Sequence, residues 1–258
     1  MSGAKLWWRI GGSLLTVGVL VIALLNLLGL LAFHRDPVEL SVPADGLTTL
    51  EVDIESGRVE VIGVEAPTIR VEGTITSGLV DTRHSERVDG DRLVVHSSCK
   101  GGPASNWCEV DYRIEVPADM AVHVDGDNSA VTVRDLRGVV DARTTNSRIQ
   151  AEALTGDVSL TTSNDDIVAT SLGSERTRLT TSNARVRAEF AAAPKTVEIR
   201  SSNDDVDVVV PDTSAAYAVD LRTSNGNQRA DVRTDPSSPR TIRVHTSNAD
   251  VRVAYPAS

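Results

Sequence analysis

The sequence predicts an all-β protein: a parallel β-solenoid, or β-helix, of about seven two-strand coils, preceded by one N-terminal transmembrane α-helix. Three observations predict this fold class. An Asn, in most copies preceded by Ser, recurs at intervals of 18 to 23 residues from position 128 onward. Apolar and polar residues alternate on both sides of each Asn, and residues 10–33 carry no charge. A near-constant interval in this range is the signature of a stacked repeat.

Residues 10–33 form the predicted transmembrane helix. As an α-helix this segment would be about 36 Å long, enough to cross a hydrocarbon layer of ~30 Å with some tilt. Because Lys5 and Arg9 precede the span, the positive-inside rule predicts a cytoplasmic tail (residues 1–9) and a single-pass cell-membrane protein whose C-terminal domain is extracellular. A cleaved signal peptide is the alternative, although its apolar region would be unusually long. Residues 34–47 are predicted to tether the membrane span to the folded domain.

The remainder, residues 48–258, is predicted to form one β-solenoid domain. Its first part, residues 48–120, begins with a coil that has a tight corner at Ser56-Gly57. Three further strands are predicted at 68–76, 91–98 and 109–117. We expect this part to supply the N-terminal coils and a cap, because the open end of a solenoid needs protection from edge pairing.

The only two cysteines, Cys99 and Cys108, flank a Gly- and Pro-containing loop between two of these strands. In an oxidising exterior they are expected to form a disulfide that closes the loop, worth about 2–3 kcal/mol by the loop-entropy model. The alternatives are a pair of free thiols and a zinc site, for which two cysteines lack partner ligands.

Residues 121–258 hold the Asn-repeat coils. The third residue after the Asn is Val or Ile in every copy but one, which has Gln228, and the fourth residue before it is always aliphatic. This alternation predicts two short strands with a corner between them. A sandwich of antiparallel hairpins is the alternative, but hairpins would not return the same residue types at the same phase of every copy. We attribute Gln228 to a locally altered turn at Gly226-Asn227.

The corner residues are predicted to stack into a ladder, since Asn tolerates turn conformations and its side chains can hydrogen-bond along a stack. The ladder comprises Asn128, Asn146, Asn164, Asn183, Asn203, Asn225 and Asn248. Two residues before most of these Asn lies an inward Thr or Ser, whose hydroxyl needs a partner because a buried unpaired hydroxyl costs ~1–3 kcal/mol. Two residues after, Arg148, Asp166, Arg185 and Asp205 alternate in sign and should favour the correct register. This ladder is therefore interpreted as scaffold chemistry.

Composition excludes some functions. A formal net charge of −10 argues against a nucleic-acid partner, because phosphate contacts need a basic face. No cofactor is predicted, and the acidic loop at 125–136 lacks the Gly and the final Glu of a calcium-binding EF-hand loop. The candidate contact surface comprises Trp107, Asp165, Asp166, Asp204 and Asp205. Ordinary solvated turns are the favoured explanation of the acidic corners. For Trp107 the alternative is packing over the disulfide or the end of the coil.

The repeated pattern SN-x-V-x-V, the first coil LEVDIESGRVEVIG and the segment IEVPADMAVHV resemble the putative-adhesin domains of unknown function with β-strand repeats, which occur on bacterial envelope proteins. The resemblance covers about residues 48–255. It implies a right-handed β-helix, a role at the cell surface or envelope and, for some relatives, an association with envelope-stress signalling. It implies no catalytic residues.

The sequence therefore predicts a membrane-anchored, extracytoplasmic scaffold that binds a cell-wall polymer, an envelope protein or another copy of itself, and that is not an enzyme. One alternative is a regulatory or sensory component of envelope-stress signalling, which would need a membrane partner because the cytoplasmic tail is short. The other is a polysaccharide-active enzyme, which rests on fold analogy alone.

Overall fold

The structure, a computed structural model, describes residues 16–22, 34–77, 82–99 and 108–256. Within these ranges the chain forms a short helix, α1 (residues 16–22), and nineteen strands, so the all-β prediction is confirmed. The strands are β1 (His34–Pro43), β2 (Thr49–Val64), β3 (Thr68–Ser77), β4 (Thr82–Asp89), β5 (Arg92–Cys99), β6 (Glu109–Pro117), β7 (Ala121–Arg134), β8 (Val140–Arg143), β9 (Ile149–Glu152), β10 (Val158–Thr161), β11 (Ile167–Leu172), β12 (Arg176–Thr180), β13 (Val186–Phe190), β14 (Thr196–Arg200), β15 (Val206–Val209), β16 (Ala218–Arg222), β17 (Gln228–Asp231), β18 (Thr241–His245) and β19 (Val251–Ala254).

The strands build two faces of one rod around a shared core. The first face runs in the order β4–β5–β2–β7–β8–β10–β12–β14–β18–β16. The second face runs β1–β3–β6–β2–β7–β9–β11–β13–β15–β19–β17. The long strands β2 and β7 belong to both faces. From β7 onward every pairing is parallel, which confirms the predicted solenoid.

Equivalent residues of neighbouring coils lie directly above one another. Ile167 is in register with Ile149 on one side and with Val186 on the other, and all three side chains are completely buried. Burial of each contributes on the order of 1.5–3 kcal/mol. The alternation of period two therefore gives the register of the repeat coils correctly.

Three coils end with a residue in an unusual backbone conformation, and the residue after it adds a second column of buried side chains. Asp135, Ala153 and Ser171 have φ values of 60°, 53° and 55°, in the left-handed region. This conformation shifts the alternation by one residue, so the next side chain points into the core. Those next residues are Leu136, Leu154 and Leu172, each completely buried.

Close backbone contact at the same end of the coils requires glycine. A Cβ at Gly156 would lie 2.0 Å from the carbonyl oxygen of Gly138, and a Cβ at Gly138 would lie 2.1 Å from the carbonyl oxygen of Met120. No side chain fits at such distances, so consecutive coils approach here through their backbones.

The N-terminal end of the rod differs from the predicted tether. Residues 34–43 form β1, which pairs antiparallel with β3 in unbroken register from His34–Ser77 to Pro43–Thr68. The physical reason is that Val38, Leu40 and Val42 alternate with polar residues; Val38 and Leu40 contact the core. The outermost strands at this end, β1 and β4, are antiparallel to their neighbours. The prolines of β1 are typical of a protected sheet edge.

The C-terminal end departs from the order of the sequence. The coil made of β18 and β19, the inserted coil, lies between the coil of β14 and β15 and the coil of β16 and β17. The coil of β16 and β17, the terminal coil, therefore ends the rod. Arg240 holds the returning chain by donating from Nη1 to the carbonyl oxygens of Ala193 (2.7 Å) and Pro194 (2.9 Å).

Of the predicted transmembrane segment, residues 10–33, only α1 falls within the described residues. In the part of the chain that the structure describes, no helix has both the length and the apolar character needed to cross a membrane.

Candidate functional site

The seven Asn of the repeat form a continuous chain of side-chain hydrogen bonds along one corner of the rod, between the two strands of each repeat coil. Each Asn except Asn128 donates from its side-chain amide nitrogen to the side-chain oxygen of the Asn in the adjacent coil nearer the N-terminal end of the rod, at 2.8–2.9 Å. The bonds run Asn146 to Asn128, Asn164 to Asn146, Asn183 to Asn164, Asn203 to Asn183, Asn248 to Asn203 and Asn225 to Asn248. Because each inner Asn uses its amide in the ladder, these residues hold adjacent coils together.

The inward hydroxyls beside the ladder are partly satisfied by the backbone. The Thr144 hydroxyl donates to Ser129 O (3.1 Å), the Thr162 hydroxyl to Ser147 O (3.0 Å), and the Thr223 hydroxyl to Ala249 O (3.0 Å). Among the described residues, the buried hydroxyls of Thr181 and Thr246 make no hydrogen bond. Burying these two hydroxyls without a partner therefore reduces the stability that the inward Thr residues provide.

The four acidic residues of the candidate contact surface lie at consecutive positions of two corners. Asp165 Oδ1 accepts from the backbone N–H of Asp166, and Asp204 Oδ1 accepts from that of Asp205, both at 2.7 Å. Asp166 also pairs with Arg148 Nη2 at 3.1 Å and accepts from the N–H of Arg185. These carboxylates support their turns and the neighbouring coils.

The two cysteines lie at the N-terminal end of the rod, where Cys99 ends β5. Cys99 and Cys108 form a disulfide, and the Cys99 N–H donates to Glu55 Oε2 at 2.7 Å. Beside it, Tyr112 OH lies 2.8 Å from His84 Nδ1, and burial raises the pKa of Tyr112 to about 12. Trp107, the remaining candidate contact residue, lies outside the described residues.

The terminal coil gives the rod an open end. Among the described residues, no named strand pairs with the outer side of β16 or β17, and all four residues of β17 are exposed. The chain returns over this end only beside Tyr217, whose N–H donates to Arg233 O at 3.0 Å and whose carbonyl oxygen accepts from the Asp235 N–H at 2.9 Å. An open cavity of about 680 Å³ lies at this end, lined by Tyr217, Val219, Leu221, Gln228 and Ala230 among others. Tyr217 is 1% exposed, and its hydroxyl has no hydrogen-bond partner among the described residues. Here the column of core residues ends: Tyr217 is covered by the segment at Thr234, whereas Val219 and Leu221 are only half-buried.

Gln228 crosses the open end and satisfies part of the free strand edge. With its amide oriented to satisfy both polar atoms, the nitrogen donates to Leu221 O at 2.9 Å and the oxygen accepts from the Thr223 N–H at 3.1 Å. The break that Gln228 makes in the apolar column thus marks the outermost coil. A locally altered turn is not needed to explain it.

Charged side chains on the outer surfaces of the terminal coil form ion pairs within each strand. Arg222 holds Asp220 through two hydrogen bonds of 3.0 Å, and this contact lowers the pKa of the Asp220 carboxyl. On β17, Arg229 pairs with Asp231. In the inserted coil, Arg243 is in register with Glu198 on one side and Asp220 on the other, so the signs alternate across the three strands. Because the inserted coil lies between them, the carboxylates of Glu198 and Asp220 do not face each other.

Comparison with known proteins gives one family and several distant likenesses of fold. The profile of the Toastrack DUF4097 family matches residues 16–254. A crystal structure of a putative cell adhesion protein from Clostridium sporogenes is similar at 9% identity, covering 86% of this chain and 100% of that chain with a TM-score of 0.39. Two structures from Parabacteroides distasonis are also similar. One is a putative lipid binding protein (10% identity, 85% and 96% coverage, TM-score 0.29), and the other is a putative adhesin (11% identity, 86% and 97% coverage, TM-score 0.28). No curated protein matches the sequence.

Proposed function

The chain belongs to the Toastrack DUF4097 family, and on this premise we propose that it is a membrane-anchored, extracytoplasmic β-solenoid that binds another component of the cell envelope without catalysing a reaction. The observation that carries the proposal is that the two ends of the rod differ. The N-terminal strand β1 lies at one end, and the terminal coil lies at the other.

The length of the rod suits such a role. The second face contains eleven strands in order, and ten spacings of about 4.8 Å separate the first from the last, giving roughly 48 Å. A rod attached to a membrane through residues preceding β1 would therefore present the terminal coil far from the lipid surface. A binding surface at that position would be free to meet a partner.

The anchor itself is supported by the sequence and by the disulfide. Residues 10–33 carry no charge, and within the described part of this segment Leu20 and Ile22 are 62% and 61% exposed. Apolar side chains of this kind suit a lipid environment. A disulfide between Cys99 and Cys108 suits an oxidising compartment outside the cytoplasm.

The proposal of a non-catalytic role is supported by the way the candidate carboxylates are used. Glycoside hydrolysis needs two carboxylates on either side of a bound sugar, one of them able to donate a proton. Asp166 instead receives a hydrogen bond from Arg148 and another from a backbone N–H, and Asp205 accepts from the N–H of Asp250 at 3.0 Å. Such contacts serve the stacking of coils.

The test uses the full chain with an epitope tag after residue 258. We expect the protein to remain in the membrane fraction after an alkaline wash and the tag to react with antibody on intact cells. Changing Leu24 and Leu25 together to Arg should release the chain from the membrane, whereas Leu24→Ile with Leu25→Ile should not. A soluble chain whose tag is hidden in intact cells would contradict the proposal. So would turnover of a wall-polysaccharide panel that Asp205→Ala abolishes.

A further inference from the structure

The outer surface of the first face carries two rows of polar side chains that follow the stack of coils. Each row takes one residue from β2, β7, β8, β10, β12, β14 and β18, and the residues of a row are in register from strand to strand. Between the two rows lies a column of buried residues that runs from Val52 to Val244, so both rows point outward. Row one comprises Glu51, His123, Asp141, Ser159, Arg178, Glu198 and Arg243. Row two comprises Asp53, Asp125, Arg143, Thr161, Thr180, Arg200 and His245.

The two rows are acidic toward the N-terminal end of the rod and basic toward the terminal coil. On β2, β7 and β8, the acidic half, they contain four carboxylates and one arginine. On β12, β14 and β18, the basic half, they contain three arginines and one carboxylate. Strand β10 separates the halves with the uncharged Ser159 and Thr161. The outer surface of the first face therefore carries opposite charges toward its two ends.

In the acidic half, Asp125 is an exposed carboxylate that forms no ion pair or side-chain hydrogen bond with another described residue. On one side it is in register with Asp53, whose like charge is unfavourable. On the other side it is in register with Arg143, which pairs with Asp141 at 2.8 Å. A cation brought to this half from outside would therefore meet an unsatisfied charge.

In the basic half, Arg243 is the corresponding exposed cation, and it too forms no such contact within the described part of the chain. The carboxylates in register with it are Glu198 and Asp220. They already pair with Arg178 at 2.9 Å and with Arg222 at 3.0 Å. An anion brought to this half would likewise meet an unsatisfied charge, so the two halves are complementary to each other.

A two-fold axis that lies above β10 and runs parallel to it brings the two halves together. Rotation about this axis leaves the position along the strands unchanged, so each row faces the same row of the second copy. The direction of the rod is reversed, and therefore β8 faces β12, β7 faces β14 and β2 faces β18. Every facing pair of ionisable residues in the two rows is then either opposite in sign or a carboxylate opposite a histidine. These pairs, each formed twice, are Asp141 with Arg178, Asp125 with Arg200, Glu51 with Arg243, Asp53 with His245 and Glu198 with His123.

The surface close to this axis is also suited to a second copy. An open cavity of about 270 Å³ lies there, lined by Val139, Ser159 and Arg178 among others. Val139 is 55% exposed and would be covered by the second copy. Asp157, which directly precedes β10, would meet the Asp157 of the other chain. Arg176 pairs with this carboxylate at 2.7 Å in each chain, so its charge is already compensated.

We propose that the outer surface of the first face is the docking site for a second copy of this chain, which packs against it face to face and head to tail. A parallel pair, with its two-fold axis along the rod, would place each strand opposite its own copy. It would bring the acidic half against the acidic half and the basic half against the basic half. The charge pattern therefore selects the head-to-tail arrangement.

The size of the surface sets the expected strength. Seven strands take part, and six spacings of about 4.8 Å give a length of roughly 29 Å. Two sheets packed face to face lie about 10 Å apart, a distance that Arg and Glu side chains bridge together. Exposed ion pairs are individually weak, so we expect reversible pairing with a Kd on the order of 10–100 μM at low ionic strength.

The head-to-tail arrangement names one partner for the binding role proposed above. It rests on that proposal only for its setting at the cell envelope. The two β1 strands lie at opposite ends of the pair, so two anchored copies would extend from membrane surfaces that face each other. The pairing itself depends on the rod and not on the anchor.

The experiment measures sedimentation equilibrium of the full chain in density-matched detergent. Wild type should dimerise in the stated range at about 50 mM salt, and its Kd should rise about tenfold or more at about 0.5 M salt because the pairs are screened. Asp125→Arg and Arg200→Glu should each raise Kd by about tenfold or more at low salt, because each variant places like charges opposite each other twice.

An equimolar mixture of the two variants should regain the wild-type Kd. In a mixed pair, the two substituted residues face each other with opposite charges, and so do the unchanged Arg200 and Asp125. Asp111→Arg is the matched control, because Asp111 is an exposed carboxylate on the second face, without an ion pair among the described residues. It changes the net charge as Asp125→Arg does and should leave Kd unchanged.

A wild-type chain that is monomeric up to about 1 mM at low salt overturns the proposal. A mixture that stays monomeric while both variants keep the native thermal midpoint overturns it too, as does an equal loss of pairing in Asp111→Arg. Should either variant lose that midpoint, Glu51→Arg and Arg243→Glu provide the same exchange at another facing pair. A soluble chain that still dimerises contradicts the proposed anchor alone, whereas an anchored monomer contradicts the pairing alone.

Discussion

Asn248 donates its side-chain amide to Asn203, 45 residues earlier in the chain, at a distance of 2.9 Å. The Asn that lies between them in sequence, Asn225, donates to Asn248 in turn. The ladder therefore follows the spatial order of the coils, which differs from their order in the chain. Every coil from β7 onward has an Asn at this corner, so the returning segment finds a hydrogen-bond partner on each side.

The inserted coil should be more sensitive to truncation of its core than the terminal coil. We expect Val244→Ala to lower the free energy of unfolding by about 2–3 kcal/mol, because the completely buried side chain leaves a cavity. Val219→Ala is the matched change in the terminal coil and should cost less than half as much, since Val219 is half-buried. Urea unfolding measures both values. Equal costs, or a larger cost for Val219→Ala, would contradict the observed coil order.

The middle of the Asn ladder should contribute measurably to stability. Asn183→Ala removes the bond to Asn164 and the bond from Asn203, and we expect a loss of about 1–2 kcal/mol by urea unfolding. Ser182→Ala, at the neighbouring exposed position, is the control and should stay within about 0.5 kcal/mol of wild type. In a double-mutant cycle with Asn164→Ala the losses should not be additive, because the two residues share a bond. Simple additivity would argue against a ladder.

Replacing a strained residue by glycine should stabilise the protein. Ala153 has a φ of 53°, a conformation that costs a non-glycine residue about 1–2 kcal/mol. Ala153→Gly relieves this strain at an entropic cost of ~0.5–1 kcal/mol in the unfolded chain, so we expect a net gain of up to about 1 kcal/mol. Ala151→Gly, in the same coil but with ordinary strand geometry, should destabilise. A lower thermal midpoint for Ala153→Gly would show that the left-handed conformation is absent in solution.

The opposite change at Gly156 should be strongly destabilising. A Cβ there would lie 2.0 Å from Gly138 O, so the backbones of two coils would have to separate. We expect Gly156→Ala to cost more than about 2 kcal/mol, as strain in a packed backbone does. Gly90→Ala provides a comparison in which the new methyl group meets no atom within 4 Å, although φ is positive there. If calorimetry shows no larger cost at Gly156 than at Gly90, the close approach of the coils is refuted.

Stability should fall at alkaline pH because of Tyr112. Burial raises the pKa of this residue to about 12, above the ~10 expected in an unfolded chain. A group with a raised pKa contributes stability that is complete below the unfolded value and is lost as pH rises through the folded value. The urea midpoint should therefore decline between about pH 10 and pH 12, and Tyr112→Phe should flatten this decline. A wild-type midpoint that does not change over this range would contradict the assignment.

The repeat coils could be predicted closely because their pattern is directly physical. Alternation on either side of an Asn specifies which side chains point inward, and the equal phase of all copies specifies their register, as Ile149, Ile167 and Val186 show. The left-handed residues were not predicted, although a signal was present. Leu136, Leu154 and Leu172 each lie eight positions after an Asn, outside the simple alternation.

The order of the last coils could not be predicted from periodicity. An inward Val or Leu reports that a residue faces the core and does not report which coil lies next to it. Gln228 was the one available sign, because a polar side chain is tolerated in the core column only where that column ends. Similarly, the alternation of Val38, Leu40 and Val42 in the predicted tether was compatible with a strand, but its antiparallel partner β3 lies well downstream.

The return of the chain into its own stack matters while the protein is being made. A ribosome releases residues in order, so windings up to Val209 can associate as they emerge. The next winding, which contains β16, has no strand to pair with until β18, which begins at Thr241, has been made. A product that stops between these points would leave the β14–β15 edge bare and its last winding unattached. Such shortened polypeptides are expected to be cleared by proteases or to aggregate, so only complete synthesis yields the intact rod.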